Sequence, residues 1–428
     1  MTTALRVALA GLGTVGGGVI RVLETNRELI ARRAGRPIEI VAVSARDRTK
    51  DRGVDVSGYE WVDDTTALAR CDADVVVELV GGADGPALAL ARATLGGGKG
   101  FVTANKAMLA HHGAELAEMA EAARVPLKFE AAVAGGIPVI KGLREGMAAN
   151  AVSRVYGILN GTCNFILSKM ESEGRDFGDV LADAQALGFA ESDPSFDIDG
   201  VDAAHKLSIL STIAFGTRPA FADVAIGGIR NVTAADVAEA EALGYRVRLV
   251  GMAQADASGL FQRVHAHLVP HAHPLAHVTG STNAVVAEGN FVGRLLFQGA
   301  GAGDGPTASA VVADLIDIAR GEAGPPYAMP VAALAEVAPA AAGAQRGRAY
   351  LRFAVADRVG VLAEIAAAMR DAGVSIESLI QRAVPVEGTA LVVIVTHEAP
   401  DAHIEAALER LRGSQSLAGE PLWMHILD

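Results

Sequence analysis

The chain has 428 residues, of which 51% are hydrophobic and only 4% aromatic, and its formal net charge is −13. That length exceeds one ordinary core and predicts two or three domains. The acidic balance disfavours nucleic acid and anionic membrane as partners, and the two cysteines, Cys71 and Cys163, imply no disulfide framework.

No stretch approaches a membrane span free of charge, and the first residues lack a basic-then-apolar signal pattern, so a cytoplasmic location is expected. The first strand is read at Leu5, Val7 and Leu9. Gly11-Leu12-Gly13-Thr14-Val15-Gly16 follows, then a helix over 15–33. In such a turn Gly11 permits the tight bend, Gly13 lets backbone approach a pyrophosphate, and Gly16 lets helix and strand pack closely. Thr14 and Val15 open the helix whose free N–H groups would hold the phosphates. A second strand over 38–43 comes at βαβ spacing, which favours a dinucleotide site over a bare glycine turn. Past it, Ser44 carries no charge to repel a 2′-phosphate, while Arg46 and Lys50 offer it partners. That pattern points to NADP, and Asp47 keeps NAD open.

Residues 74–80 form a continuous apolar run ending at Gly81-Gly82, suited to a parallel strand covered on both faces. Gly100 to Thr103 reads as the next strand, with Ala104-Asn105-Lys106 at its tip, and 126–133 as another, running into Gly135-Gly136. Ligands of such sheets sit outside the strand carboxyl ends, which marks Lys106 and Glu130 by position. From about Asn150 strands over 153–159 and 261–268 surround helical stretches over 165–187 and 201–215, an α+β pattern. A second glycine loop, 299–305, includes Gly303 and meets Pro306 and a helix over 307–320, expected to return to the nucleotide-binding domain. Residues 321–348 read as a linker. Beyond it come strand 350–356, helix 361–372, strands 374–382 and 390–396, helix 401–411 and strand 423–427, a βαββαβ unit.

The expected fold class is therefore α/β. A Rossmann-type parallel sheet occupies 1–149 and 303–330, and an α+β substrate and dimerisation domain 150–302. A linker over 331–348 then leads to the βαββαβ domain over 349–428.

Several motifs are more specific than this pattern. They are Thr103-Ala104-Asn105-Lys106, the run from Glu130 to Pro138, Gly161-Thr162-Cys163-Asn164-Phe165, Gly188-Phe189-Ala190-Glu191-Ser192-Asp193-Pro194, Asp199-Gly200-Val201-Asp202 through His205-Lys206, and His273-Pro274-Leu275-Ala276. In this order the chain resembles homoserine dehydrogenases of the long bacterial form, which carry a C-terminal ACT domain. The resemblance implies reversible reduction of L-aspartate 4-semialdehyde to L-homoserine with NAD(P)H. It makes Lys206 the proton donor, Lys106 its partner, and Asp202 the carboxylate that orients the ammonium. An ordinary lysine is charged at neutral pH and can polarise and protonate a carbonyl oxygen. Taken alone, an Asp–Lys pair at i,i+4 is more often surface decoration.

By the same resemblance Glu191 receives the substrate amino group, with Asp197, Gly161 and Thr162 lining the pocket. A monovalent cation, sodium, is expected on the Glu130 carboxylate and the carbonyls of Val133, Gly135 and Ile137, where a plain strand-to-turn segment is the alternative. Asp357, Gly360, Val361 and Ile376 are expected at an effector site for threonine in the ACT domain, which could instead serve only assembly into a homodimer or homotetramer. Two further readings compete. Cys163 could be the nucleophile of a phosphorylating semialdehyde dehydrogenase, or the chain could be a non-catalytic amino-acid sensor. The histidines at 265, 267, 271, 273 and 277 crowd one tract, but no Cys or carboxylate there completes a zinc set.

Overall fold

The computed structural model describes residues 3–341, 343–383 and 388–428. Its first sheet has six parallel strands in the order Glu60–Trp61, Ile38–Ser44, Leu5–Ala10, Val75–Glu78, Gly100–Thr103 and Leu127–Lys128. The order reverses between Leu5–Ala10 and Val75–Glu78, so a crevice opens at their carboxyl ends. Val75, Val76 and Val77 are buried, as a strand covered on both faces requires. The helix Asp304–Ala319 returns to this sheet as expected and lies against the helix Thr14–Thr25. Gly18 makes the approach possible, because a Cβ there would lie 2.0 Å from Asp304 Oδ1 and 3.0 Å from Ala308 Cβ.

The second sheet runs Gly293–Ala300, Thr282–Gly289, Val152–Ile158, Tyr245–Asp256, Gly259–Pro270, Leu422–Ile426, Ala349–Ala356, Thr389–Thr396 and Ile376–Ala383. Its last four strands belong to the C-terminal βαββαβ unit. That unit is thus no freely tethered module: His267 pairs with His425 and Leu268 with Ile426 in a parallel ladder. Side chains reinforce the seam. Asp401 is ion-paired with Arg263, and buried Asp236 accepts from Tyr350 (3.0 Å) and Arg352 (3.1 Å).

Several expected elements are corrected. The helix over 15–33 is two helices, Thr14–Thr25 and Arg27–Ala34, broken at Asn26. The stretch over 165–187 is likewise broken, into Gly161–Glu173 and Phe177–Ala186, where Gly174 turns left-handed at φ 64° and ends the first helix. The strand over 126–133 stops at Lys128, and Glu130–Ala132 forms a short turn of helix instead. Pro306 is the third, not the first, residue of its helix, still within the turn that needs no N–H donor. The linker over 331–348 has little regular structure but is docked: Ala335 bridges to Thr217, Pro339 to Leu260, and Val331 is buried. Ala342 lies outside the described residues. Among the described residues no helix is long and apolar enough to cross a membrane.

Candidate active site

A cleft of about 580 Å³ lies between the two sheets. Val15, Ala104 and Lys106 line it from the nucleotide-binding side, and Thr162, Asp197, Asp202 and Lys206 face them from the other. Asp202 and Lys206 are one turn apart on the helix Val201–Phe215, so their side chains meet. Lys206 Nζ donates to Asp202 Oδ2 (2.8 Å) and to Leu159 O (2.7 Å), which uses two of its three N–H groups. Lys106 Nζ sits 3.0 Å from the other oxygen, Asp202 Oδ1. One carboxylate therefore clasps two ammonium groups that belong to different domains. Asn160 steadies it, with Nδ2 donating to both Asp202 Oδ2 and Asp197 Oδ1 at 2.8 Å. The same Asn160 caps the helix Gly161–Glu173 by accepting from Cys163 N–H (2.8 Å).

The electrostatics follow from this clasp. Burial alone would raise the Asp202 pKa, but Lys206 and Lys106 outweigh it and hold the carboxyl well below the usual range. Burial opposes the charge on Lys106, yet Asp202 outweighs it and keeps the ammonium above the ordinary lysine value. Asp197 is pushed the other way, raised by burial and by the Asp202 charge beside it, while Thr162 Oγ1 donates to it (3.2 Å). Cys163 is buried under this pocket, its Sγ donating to Asp197 O (3.2 Å). Burial and the neighbouring carboxylates push its thiol far up, the opposite of an activated nucleophile.

The glycine turn has the shape a dinucleotide needs. Gly11 is left-handed at φ 97°, and a Cβ there would meet Leu79 O at 2.7 Å. A Cβ at Gly16 would meet Gly11 O at 2.1 Å, whereas one at Gly13 would meet nothing, so the open side of the turn is free for a ligand. Gly303, before the helix Asp304–Ala319, lines the same cleft. Beside the turn, Thr14, Arg21, Lys50 and Arg52 border a hollow of about 250 Å³. Arg46 is exposed and does not line it. Asp47 is turned onto its own loop, accepting from Thr49 N–H and Oγ1 at 2.8 Å.

Other expected residues fall as follows. Glu191 is exposed and outside the cleft lining, while Gly161, Thr162 and Asp197 are within it. Glu130 is buried beneath the cleft, and its carboxylate accepts from the N–H groups of Ile140 (3.0 Å) and Lys141 (2.9 Å). Burial and nearby Asp314 raise it to about 7. Ile137 O accepts from Val139 N–H (2.7 Å), whereas the carbonyls of Val133 and Gly135 have no recorded partner among the described residues. The expected cation donors are thus half engaged already. In the C-terminal unit Asp357, Gly360 and Val361 line a hollow of about 370 Å³, and Ile376 does not. His273 is structural, bonded to Tyr156 OH (3.1 Å) and to Leu275 N–H (3.2 Å). Among the described residues no group of three His, Cys, Asp or Glu could hold a metal ion.

Sequence reasoning overlooked Asn160, Arg21 and Arg52. Asn160 was legible as an N-cap before a glycine, and Arg21 and Arg52 only through the folding of loop on helix.

Comparison with known proteins settles the family. The model of the homoserine dehydrogenase family matches residues 138–316, that of the homoserine dehydrogenase NAD-binding domain residues 11–130, and that of the ACT domain residues 349–413. A homoserine dehydrogenase of Neisseria gonorrhoeae is 46% identical over 413 residues, 94% of each chain. The chain belongs to the homoserine dehydrogenase family. Another member, from Pseudomonas aeruginosa, is 44% identical over 424 residues, 97% of each chain. The crystal structure of a homoserine dehydrogenase from Thiobacillus denitrificans superposes with a TM-score of 0.93 at 42% identity, covering 100% of this chain and 99% of that one. A hyperthermophilic archaeal homoserine dehydrogenase in complex with NADPH aligns with a TM-score of 0.62 at 25% identity, over 74% of this chain and 97% of that one. This enzyme is accordingly an NAD(P)-dependent oxidoreductase with an ACT domain.

Proposed function

We propose that the cleft interconverts L-aspartate 4-semialdehyde and L-homoserine with Lys206 as proton donor, Lys106 as its partner and NADP as the preferred cofactor. The carrying observation is the Asp202 clasp, which presents two ammonium groups to one point in the cleft. When bound, the nicotinamide supplies the hydride to the aldehyde carbon. Lys206 keeps one N–H unengaged and passes that proton to the carbonyl oxygen, so the alcohol forms and the lysine is reprotonated from water. In the reverse direction the neutral lysine accepts the hydroxyl proton. Asp197 and Thr162 receive the polar groups of the amino acid, with exposed Glu191 closing onto its ammonium from the neighbouring loop. Lys50, with Arg52 beside it, supports the choice of NADP, because cations beside the glycine turn suit a 2′-phosphate, whereas Arg21 at the same hollow is already ion-paired with Asp304.

We keep the domain limits 1–149 with 303–330, 150–302 and 349–428; the separate first sheet supports the first of them, and the last two share the second sheet with their seam at Gly259–Pro270. A monovalent cation over 130–137 would rest chiefly on the Val133 and Gly135 carbonyls. Threonine is proposed at the 357–361 loop. The outer strand Gly293–Ala300, with Phe291, Val292 and Leu296 exposed, supports pairing of copies into a homodimer or tetramer. The test is homoserine-dependent reduction of NADP and NAD, with and without threonine, by the wild type and by Lys206→Ala. Activity above about a tenth of wild type in the variant, a loss under ~1.4 kcal/mol, refutes the donor assignment.

A further inference from the structure

The end of the strand Val75–Glu78 carries a carboxylate that the chemistry above does not use. Glu78 is fully buried, and among the described residues no lysine, arginine or histidine is ion-paired with it. Its Oε1 accepts from the N–H groups of Val80 (2.6 Å) and Gly81 (2.9 Å), and its Oε2 accepts from the Thr103 hydroxyl (2.6 Å). Thr103 Oγ1 in turn accepts from Asn105 N–H (2.9 Å). Asn105 Nδ2 donates to Gly82 O (2.7 Å), and its Oδ1 caps the next helix through Met108 N–H (3.1 Å). The bonds close a ring from Glu78 through the 80–82 loop, Asn105 and Thr103 back to Glu78. Lys106 is the first residue of the helix that this ring caps.

The loop needs such a fastening. Gly81 and Gly82 are both left-handed, at φ 83° and 90°, and glycine backbone has the most freedom to lose. On its other side the loop touches the glycine turn: Leu79 N–H donates to Ala10 O (2.8 Å), and Leu79 O is the atom that Gly11 leaves room for. Val75–Glu78 lies between Leu5–Ala10 and Gly100–Thr103, so a dinucleotide held at the glycine turn must pass this loop to bring its reacting ring to Lys106. A buried, unpaired carboxylate is an expensive fastener, and its chemistry explains the choice: it only accepts, and it faces three donors.

We infer that Glu78 is a positioning residue that sets the 79–82 loop and Lys106 in one frame for the cofactor. The inference rests on the cleft being the cofactor site. A glutamine would keep the shape and one acceptor oxygen, but its NH₂ would face Thr103 Oγ1 and leave the threonine hydrogen without an acceptor.

The experiment compares Glu78→Gln, Thr103→Val and Thr103→Ser with wild type in thermal melting, NADPH titration by fluorescence and steady-state kinetics. Folded Glu78→Gln should raise the NADPH dissociation constant and lower kcat at saturating cofactor, each by about tenfold, with the KM for homoserine little changed. A purely structural role would instead lower the melting temperature and leave the folded fraction with wild-type constants, which overturns the inference. Should Glu78→Gln not fold, the threonine pair decides. Thr103→Ser retains most of the NADPH affinity that Thr103→Val loses if the ring acts as described, and equal affinities overturn it. Failure of the wild type itself to bind NADPH would refute the cofactor site rather than the ring alone.

Discussion

Asp202→Asn is the sharpest perturbation of the clasp, because it removes one charge while keeping the shape. Each ammonium loses a charge-assisted hydrogen bond, at 3.0 Å for Lys106 and 2.8 Å for Lys206. Such bonds are worth about 1.5–3 kcal/mol apiece. Asp202 now holds the Lys106 ammonium up against burial, so without that charge the Lys106 pKa should fall. Homoserine oxidation needs a neutral lysine beside Asp202, and removing the carboxylate charge favours the neutral form, so the alkaline limb should move to lower pH. Loss of orientation at Lys206 should cost a further ~10–100-fold in kcat for aldehyde reduction, about 1.4–2.7 kcal/mol of the barrier. The pH dependence of kcat in both directions, with NADPH affinity followed separately, measures both effects. A variant with kcat within about threefold of wild type and an unmoved limb refutes the reasoning, since the loss of orientation alone exceeds that margin.

Three further outcomes are expected. Cys163→Ala should keep substantial activity, because the buried thiol donates only to a backbone carbonyl; total loss together with phosphate-dependent semialdehyde oxidation would reinstate the nucleophile. Burial depresses the seam histidines, His265 to about 4 and His267 and His425 also downward, with Arg263 adding to the effect. The unfolded chain then takes protons first, so melting temperature should fall as pH drops from about 6.5 towards 4, and His265→Asn should flatten that slope in calorimetry. Truncation after Arg348 should leave all proposed catalytic groups and remove any threonine response. It also uncovers the Gly259–Pro270 edge and leaves Asp236 without Tyr350 and Arg352, so a lower melting temperature is expected, and an unchanged one would show the seam to be weak.

The alternating pattern of the first half was legible because its signals are local. Val75–Val77 is too apolar to be anything but a covered strand, and Gly11 and Gly16 each carry a steric requirement that the fold honours, while Gly13 leaves the ligand side open. The breaks at Asn26 and Gly174 were harder, since the apolar periodicity continues across them. The strand Tyr245–Asp256 was missed for a different reason. It contains Arg246 and Arg248, and a buried Arg248 becomes acceptable only when Glu171 (3.1 Å) and Ala276 O (3.0 Å), distant in sequence, come to meet it. In the site, Asp202 and Lys206 were readable from helix spacing. That Lys106 shares the same carboxylate was not, because no periodicity links residues so far apart.

The seam between His267 and His425 also has a meaning for how the chain assembles. The strand Gly259–Pro270 acquires its partner Tyr245–Asp256 at once, through a tight hairpin; on its other margin Ala225–Ile226 pairs with Arg263 and Val264, but the stretch at His267 and Leu268 waits for Leu422–Ile426. Throughout that interval of synthesis the margin presents unsatisfied backbone groups beside Leu268 and Val269, a surface prone to pair with another nascent copy. The ACT domain is thereby also a late-arriving cover for the growing sheet, and variants that slow its folding should lower soluble yield before they alter turnover.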